Sequence, residues 1–159
     1  MMRLWGVLLL AGLALIAGAA LLGGGARAIA DDKKDDAAKE EMKKFEGNWQ
    51  LVASERDGEK APADVIKTAK AATKAGKVTL SVDGKTVLEA DFTIDPTKKP
   101  KTIDATPTTG TDKGKKSLGI YEFDGDTLKI CYSEKERPTE FTAKKGSGNT
   151  LDVYKREKP

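Results

Sequence analysis

Leu118-Gly119-Ile120-Tyr121-Glu122-Phe123-Asp124-Gly125-Asp126-Thr127-Leu128-Lys129-Ile130-Cys131-Tyr132 is the stretch whose reading decides the fold class. Two runs rich in β-branched and aromatic residues flank Asp124-Gly125, a dipeptide suited to a tight reversal. The stretch therefore reads as strand, turn, strand, with strands over Lys116 to Phe123 and Thr127 to Ser133. The same pattern continues toward the N-terminus. Thr102 to Thr106 is a strand, and Pro96 and Pro100 bracket a turn, since neither fits a central strand. Leu88, Ala90, Phe92 and Ile94 share one face of a longer strand. Asp83-Gly84 joins it to a strand in which Val78, Leu80 and Val82 alternate. Trp49 to Ser54 puts Trp49, Leu51 and Ala53 on one face, and Asp57-Gly58 turns the chain after it. Toward the C-terminus, Thr139 to Ala143 and Thr150 to Arg156 read as strands around the loop Lys145-Gly146-Ser147-Gly148-Asn149. That makes eight strands joined mostly by hairpin-length loops. An open meander would expose two strand edges, and closing it on itself removes them. The expected fold class is all-β, an eight-stranded antiparallel barrel.

Two helical segments interrupt the strands. Ala38, Met42 and Phe45 fall at helical spacing, so residues 37–45 read as a short amphipathic helix ended by Gly47. The alternating acids and lysines of residues 31–36 read as a solvated tether ahead of it. Pro62 to Ala75 is rich in Ala and Lys, with Val65, Ile66, Ala69 and Thr73 on one side, Pro62 at its start and Gly76 at its end. It reads as a helix inserted between the first two strands, across one end of the barrel. Either it is a lid over a ligand cavity or it is a plug burying apolar residues at the rim.

The triplet Gly47-Asn48-Trp49 resembles the Gly-x-Trp signature at the first strand of lipocalins and related calycin-type barrels. In that family the Trp closes the narrow end, and a basic side chain from the far end of the chain lies across it. By resemblance, Gly47 and Trp49 form the closure here, with a cation from Tyr154-Lys155-Arg156. Strand parity favours Lys155 and stacking chemistry favours Arg156. Departures from lipocalins are the lack of a disulfide and of clear second and third signatures. Residues 95–141, with Asp95-Pro96-Thr97-Lys98-Lys99-Pro100-Lys101-Thr102-Ile103-Asp104 at one end and Glu136-Arg137-Pro138-Thr139-Glu140-Phe141 at the other, resemble an uncharacterised, planctomycete-expanded domain family of exported proteins. That family has lipocalin-like barrel character, and the resemblance spans about residues 45–157. It implies a fold and an exported location without implying an activity.

The N-terminus agrees with that location. Arg3 precedes an apolar run over Leu4 to Leu22, then Gly23-Gly24-Gly25 and Ala28-Ile29-Ala30 before Asp31. This is the order of a secretory signal cleaved after Ala30. The run is also long enough, at about 1.5 Å per residue, to span a bilayer as an uncleaved anchor. Both readings put the remainder in the periplasm, cell envelope or extracellular space, and membrane contact is expected only through residues 4–22. The expected organisation is a signal or anchor over 1–30, a tether and short helix over 31–44, and a barrel domain over 45–157. The whole chain has 28 basic and 25 acidic residues, but Arg3 and Arg27 lie in the leader, which leaves residues 31–159 almost neutral. Nucleic acid is therefore not an expected partner.

Composition narrows the chemistry. There is no histidine and one cysteine, so a Ser-His-Asp centre, a His-based metal site, a thiolate zinc site and a CxxC redox pair are all excluded. Gly110-Thr111-Asp112-Lys113-Gly114-Lys115-Lys116-Ser117 has the wrong spacing for a phosphate loop and leads into a strand. No catalytic, cofactor-binding or metal-binding residues are expected, and the protein reads as a non-enzyme. Cys131 shares the outer face with Lys129 and Ser133, where it is a partly covered small residue or an intermolecular disulfide partner. Expected lumen residues are Trp49, Leu51, Leu80, Phe92, Ile94, Ile120, Ile130, Phe141 and Val153. Two functions follow. One is non-enzymatic binding of a small, largely apolar ligand in a lumen of at least roughly 300 Å³. The other is an envelope module with a filled barrel that binds a protein or glycan.

Overall fold

The computed structural model describes residues 25–158. Of the expected signal or anchor over residues 1–30, residues 1–24 lie outside the described residues, and the expected cleavage site after Ala30 falls within the first helix. Helix α1 (Gly25–Lys43) is followed by strands β1 (Gly47–Arg56) and β2 (Glu59–Lys60), helix α2 (Ala63–Thr68), and strands β3 (Lys70–Lys74), β4 (Lys77–Val82), β5 (Lys85–Asp95), β6 (Lys101–Pro107), β7 (Ser117–Asp124), β8 (Thr127–Ser133) and β9 (Thr150–Arg156). Each strand from β3 to β9 pairs antiparallel with the next. β1 pairs with both β3 and β9, which closes an eight-stranded barrel. β2 only extends β1 past the rim, with Glu55 opposite Lys60 and Arg56 opposite Glu59.

Three two-residue turns carry left-handed backbone at both positions, the geometry that matches strand twist. Two are the legible Asp57-Gly58 and Asp83-Gly84, and the third is Ala75-Gly76. Ala75 has φ of 49° without the side-chain oxygen that lets Asp tolerate this region. Its turn joins β3 to β4 within the segment expected to be one helix over residues 62–75. Only Ala63–Thr68 is helical. The remainder is strand because the barrel needs a partner for both β1 and β4 there. Ala71 sits opposite Trp49 on one side and Leu80 on the other, and its small side chain leaves room for the indole. Tertiary pairing overrides the helix propensity of Ala and Lys.

The expected strand over residues 139–143 is not one. β8 pairs directly with β9, so no ladder position is left for it. The connection over residues 134–149 instead crosses the outside of the barrel. Its Arg137 donates to Gly119 O at 2.6 Å and to Ile103 O at 3.3 Å, and pairs with Asp104 at 2.6 Å. Asn149 Nδ2 donates to Thr142 O at 3.1 Å. This strap buries the outer-face residues Ile120 and Cys131 together with its own Ala143. Gly119 lies beneath it with no space for a side chain, since a Cβ would sit 3.0 Å from Cys131 O and 3.1 Å from Ile103 Cγ2.

α1 begins well before the expected residue 37, so the expected tether over 31–36 is helical. Its C-terminal end docks on one end of the barrel. Lys34 pairs with Asp95 at 3.1 Å, and the buried Glu41 accepts from Lys44 at 2.7 Å, Lys101 at 2.5 Å and Tyr121 Oη at 3.4 Å. Burial opposes the charge on Glu41, but the two lysines more than offset it and hold its pKa below the ordinary carboxylate value. Among the described residues, no helix is long and apolar enough to cross a membrane.

Candidate functional site: the barrel lumen and its open end

The end of the barrel next to α1 is sealed. Phe45, at the exit of α1, drops into the lumen with its ring centroid 4.9 Å from Tyr121, 4.8 Å from Phe123 and 5.3 Å from Phe92. Trp49 packs beside it, 1% exposed, and donates from Nε1 to Phe45 O at 2.8 Å. Arg156 lies across the indole with its guanidinium carbon 4.1 Å from the ring centroid. It also donates to Glu46 O at 2.7 Å and Lys44 O at 2.5 Å. Gly47 is required here. Its φ is 120°, and a Cβ would stand 3.1 Å from Arg156 Nη1. Of the two cations considered for this position, Arg156 occupies it. Lys155 is exposed, opposite Gln50 and Thr127.

The other end is open. α2 sits at its rim, tied down by Gln50, whose side-chain amide donates to Ile66 O at 2.8 Å and Ala69 O at 3.1 Å. The helix is too short to cover the mouth, and a cleft of about 650 Å³ remains beside it. Below the cleft, the lumen keeps a cavity of about 150 Å³, walled largely by apolar side chains such as Val78, Leu80, Leu88, Ala90, Phe92 and Ile130. Several of these, including Val78, Leu80 and Leu88, are only half-buried although they face inward. The barrel is thus neither filled nor hollow: aromatic residues pack the sealed half, and the open half holds space. The cavity alone is half the expected volume.

Of the expected lumen residues, Leu80, Phe92 and Ile130 line the cavity, Trp49 forms its floor, and Leu51 lines the cleft. Ile94 packs against the sealed-end core. Ile120, Phe141 and Val153 lie outside the lumen instead. In β7 the inward residues are Tyr121 and Phe123, and Ile120 points outward beneath the strap. Phe141 belongs to the strap itself and sits 5.7 Å from the Lys129 ammonium. In β9 the inward residues are Asp152 and Tyr154, which puts Val153 on the outside. Cys131 is 0% exposed, and its thiol donates to Thr142 O at 3.4 Å. Burial pushes that thiol's pKa up. An intermolecular bridge would require the strap to lift.

The sequence reading missed the polar group in the lumen wall. Asp152 is 8% exposed and borders both cavity and cleft. Tyr132 Oη donates to its Oδ2 at 3.3 Å and Tyr154 Oη to the same oxygen at 3.4 Å. Burial raises the pKa of Asp152, against hydrogen bonds from Ser54, Tyr132 and Tyr154. Burial and the Asp152 charge raise both tyrosines in turn. Ser54 reaches the cluster because a bulge between Leu51 and Ala53 shifts β1 by one residue, placing Ser54 opposite Asp152 and turning Ala53 outward. Hydropathy alternation had put Leu151 and Val153 inward. In β7 to β9 both faces are covered, one by the lumen and one by the strap, so alternation does not identify the inner face.

Among the described residues, no group of three or more Cys, Asp or Glu is placed to hold a metal ion. No protein-family model matches the chain, and neither does any curated protein.

Proposed function

We propose that this protein is a non-enzymatic binder of a small, mainly apolar ligand, which enters by the open end and places its apolar part in the cavity below Asp152. The observation that carries this reading is the division of the lumen. One half is packed by Phe45, Trp49, Tyr121 and Phe123, while the other keeps about 150 Å³ walled by Leu80, Leu88, Ala90 and Ile130. A barrel serving only as a scaffold gains stability by filling that space, because each unfilled volume forfeits packing. A cavity of this size takes a group about as large as a benzene ring. The remainder of the ligand would occupy the cleft. The exported location implied by residues 1–30 and by the family resemblance suits capture of a ligand outside the cytoplasm.

Ala90 provides the test. It is buried in the cavity wall, and Phe in its place fills the space from one side. A hydrophobic fluorescent probe should bind the folded protein at about micromolar strength, and an organic extract of the native protein should displace it. Ala90→Phe should weaken probe binding at least tenfold while the protein stays folded by circular dichroism. Equal binding by the two proteins would rule out the lumen as the site.

A further inference from the structure

The lumen wall holds one charged group without a counter-charge, and its setting identifies the ligand's polar end. Among the described residues, Glu41 and Asp152 are the two buried carboxylates, at 6% and 8% exposure. Glu41 is held by two lysines. Among the described residues, Asp152 has no ion pair, and its hydrogen-bond partners are hydroxyls. A carboxylate removed from water is costly unless a cation or several good donors compensate it. The two tyrosine hydroxyl bonds are long, and both go to Oδ2, whereas a carboxylate offers about four acceptor sites. Burial disfavours the ionised form, and a cation brought beside the carboxylate would restore it. The cations of the cleft do not supply the missing counter-charge. Lys70 pairs with Glu157 at 2.6 Å, while Arg56, Lys60 and Lys145 line the outer cleft and none forms an ion pair with Asp152.

We propose, building on the lumen-binding reading, that the ligand is a small amphiphilic amine whose protonated nitrogen pairs with Asp152 and whose apolar group fills the cavity beneath. The rings of Tyr132 and Tyr154 line the same cavity and add aromatic surface, which attracts alkylammonium groups. The order of the parts sets the ligand's polarity. Asp152 is opposite Ser54, toward the mouth, while Trp49 and Phe45 floor the cavity. The apolar end therefore goes in first and the ammonium follows. A lysine side chain of a protein partner would present these parts in the reverse order, so the fit is to a free small amine.

Benzylamine, benzyl alcohol and benzoate share one ring and differ in the charge of the head group. Calorimetric titration of the intact domain at neutral pH should show benzylamine binding at least tenfold more tightly than benzyl alcohol, with benzoate weakest. In Asp152→Asn the amine should fall to the affinity of the alcohol, and the alcohol should change by less than about twofold. Tyr132→Phe keeps the ring and frees Asp152 of one donor, so it should increase the preference for the amine, and an unchanged preference counts against Asp152 as its partner. This variant decides the question if Asp152→Asn does not fold. Equal binding of amine and alcohol to the unaltered protein overturns the proposal, as does an amine preference that survives in Asp152→Asn. Binding of the alcohol without preference for the amine leaves the lumen reading standing and removes only the amine. Binding of none of the three removes both.

Discussion

Trp49→Ala should be the most damaging single substitution in β1. The indole is 1% exposed and touches the sealed-end core on one face and Arg156 on the other. Truncating a buried Trp to Ala costs about 3–5 kcal/mol through lost burial and the space left behind. The Nε1 bond to Phe45 O at 2.8 Å is lost too, which adds about 1 kcal/mol. The guanidinium of Arg156 keeps its carbonyl partners Glu46 and Lys44 but loses the ring beneath it, a contact of about 1–2 kcal/mol for a covered cation. These terms overlap, so the expected loss is at the upper end, about 5 kcal/mol. A domain with a typical stability of about 5–15 kcal/mol would be left marginal. Trp49→Phe retains most of the packing and should lose only about 1–2 kcal/mol. Urea melts of both variants and of Arg156→Ala give the magnitudes. The Trp49→Ala, Arg156→Ala double mutant should show a coupling of about 1 kcal/mol, because each residue's contribution depends on the other. A Trp49→Ala loss under about 1 kcal/mol, or additive effects in the cycle, would show that these residues do not close the barrel.

Two further outcomes follow from local geometry. Ala75 adopts a left-handed conformation that Asn tolerates better, so Ala75→Asn should raise stability by about 0.5–1 kcal/mol in the same melts, and an unchanged midpoint would count against the Ala75-Gly76 turn. The pKa of Asp152 is raised in the folded protein, so its contribution to stability is fully present below the unfolded value and declines as pH rises toward the folded one. Asp152→Asn should remove that decline, so melts as a function of pH should run flatter above about pH 4 in the variant, and parallel curves would refute the assignment.

The barrel was legible where local chemistry and hydropathy agree. Asp83-Gly84 and Asp124-Gly125 mark their hairpins, and Gly47-Asn48-Trp49 marks the sealed end with Arg156 as one of its two candidate partners. Two errors in the strand inventory cancelled. β3 was hidden in an Ala/Lys segment whose turn uses Ala75 in place of Asp, and the strap over residues 139–143 mimicked a strand because its Phe141 and Ala143 cover the outside of the sheet. The lumen's polar group was illegible for a related reason. With the strap on one side and the lumen on the other, β9 carries Leu151 and Val153 outward and Asp152 and Tyr154 inward, the reverse of what hydropathy alone assigns. The bulge that brings Ser54 to Asp152 leaves no mark in the sequence, since Val52 is an ordinary strand residue.

Ligand binding in the lumen requires space in the open half of the barrel that accepts an apolar group. Methyl NMR of the isotopically labelled protein, titrated with benzyl alcohol, tests that directly. Saturable shifts and intermolecular contacts are expected at Leu80, Leu88, Ala90 and Ile130, which line the cavity, and none at Val52, which is 45% exposed on the outside, or at Val153. Shifts confined to outer-face methyls, or none at saturating alcohol, would contradict it.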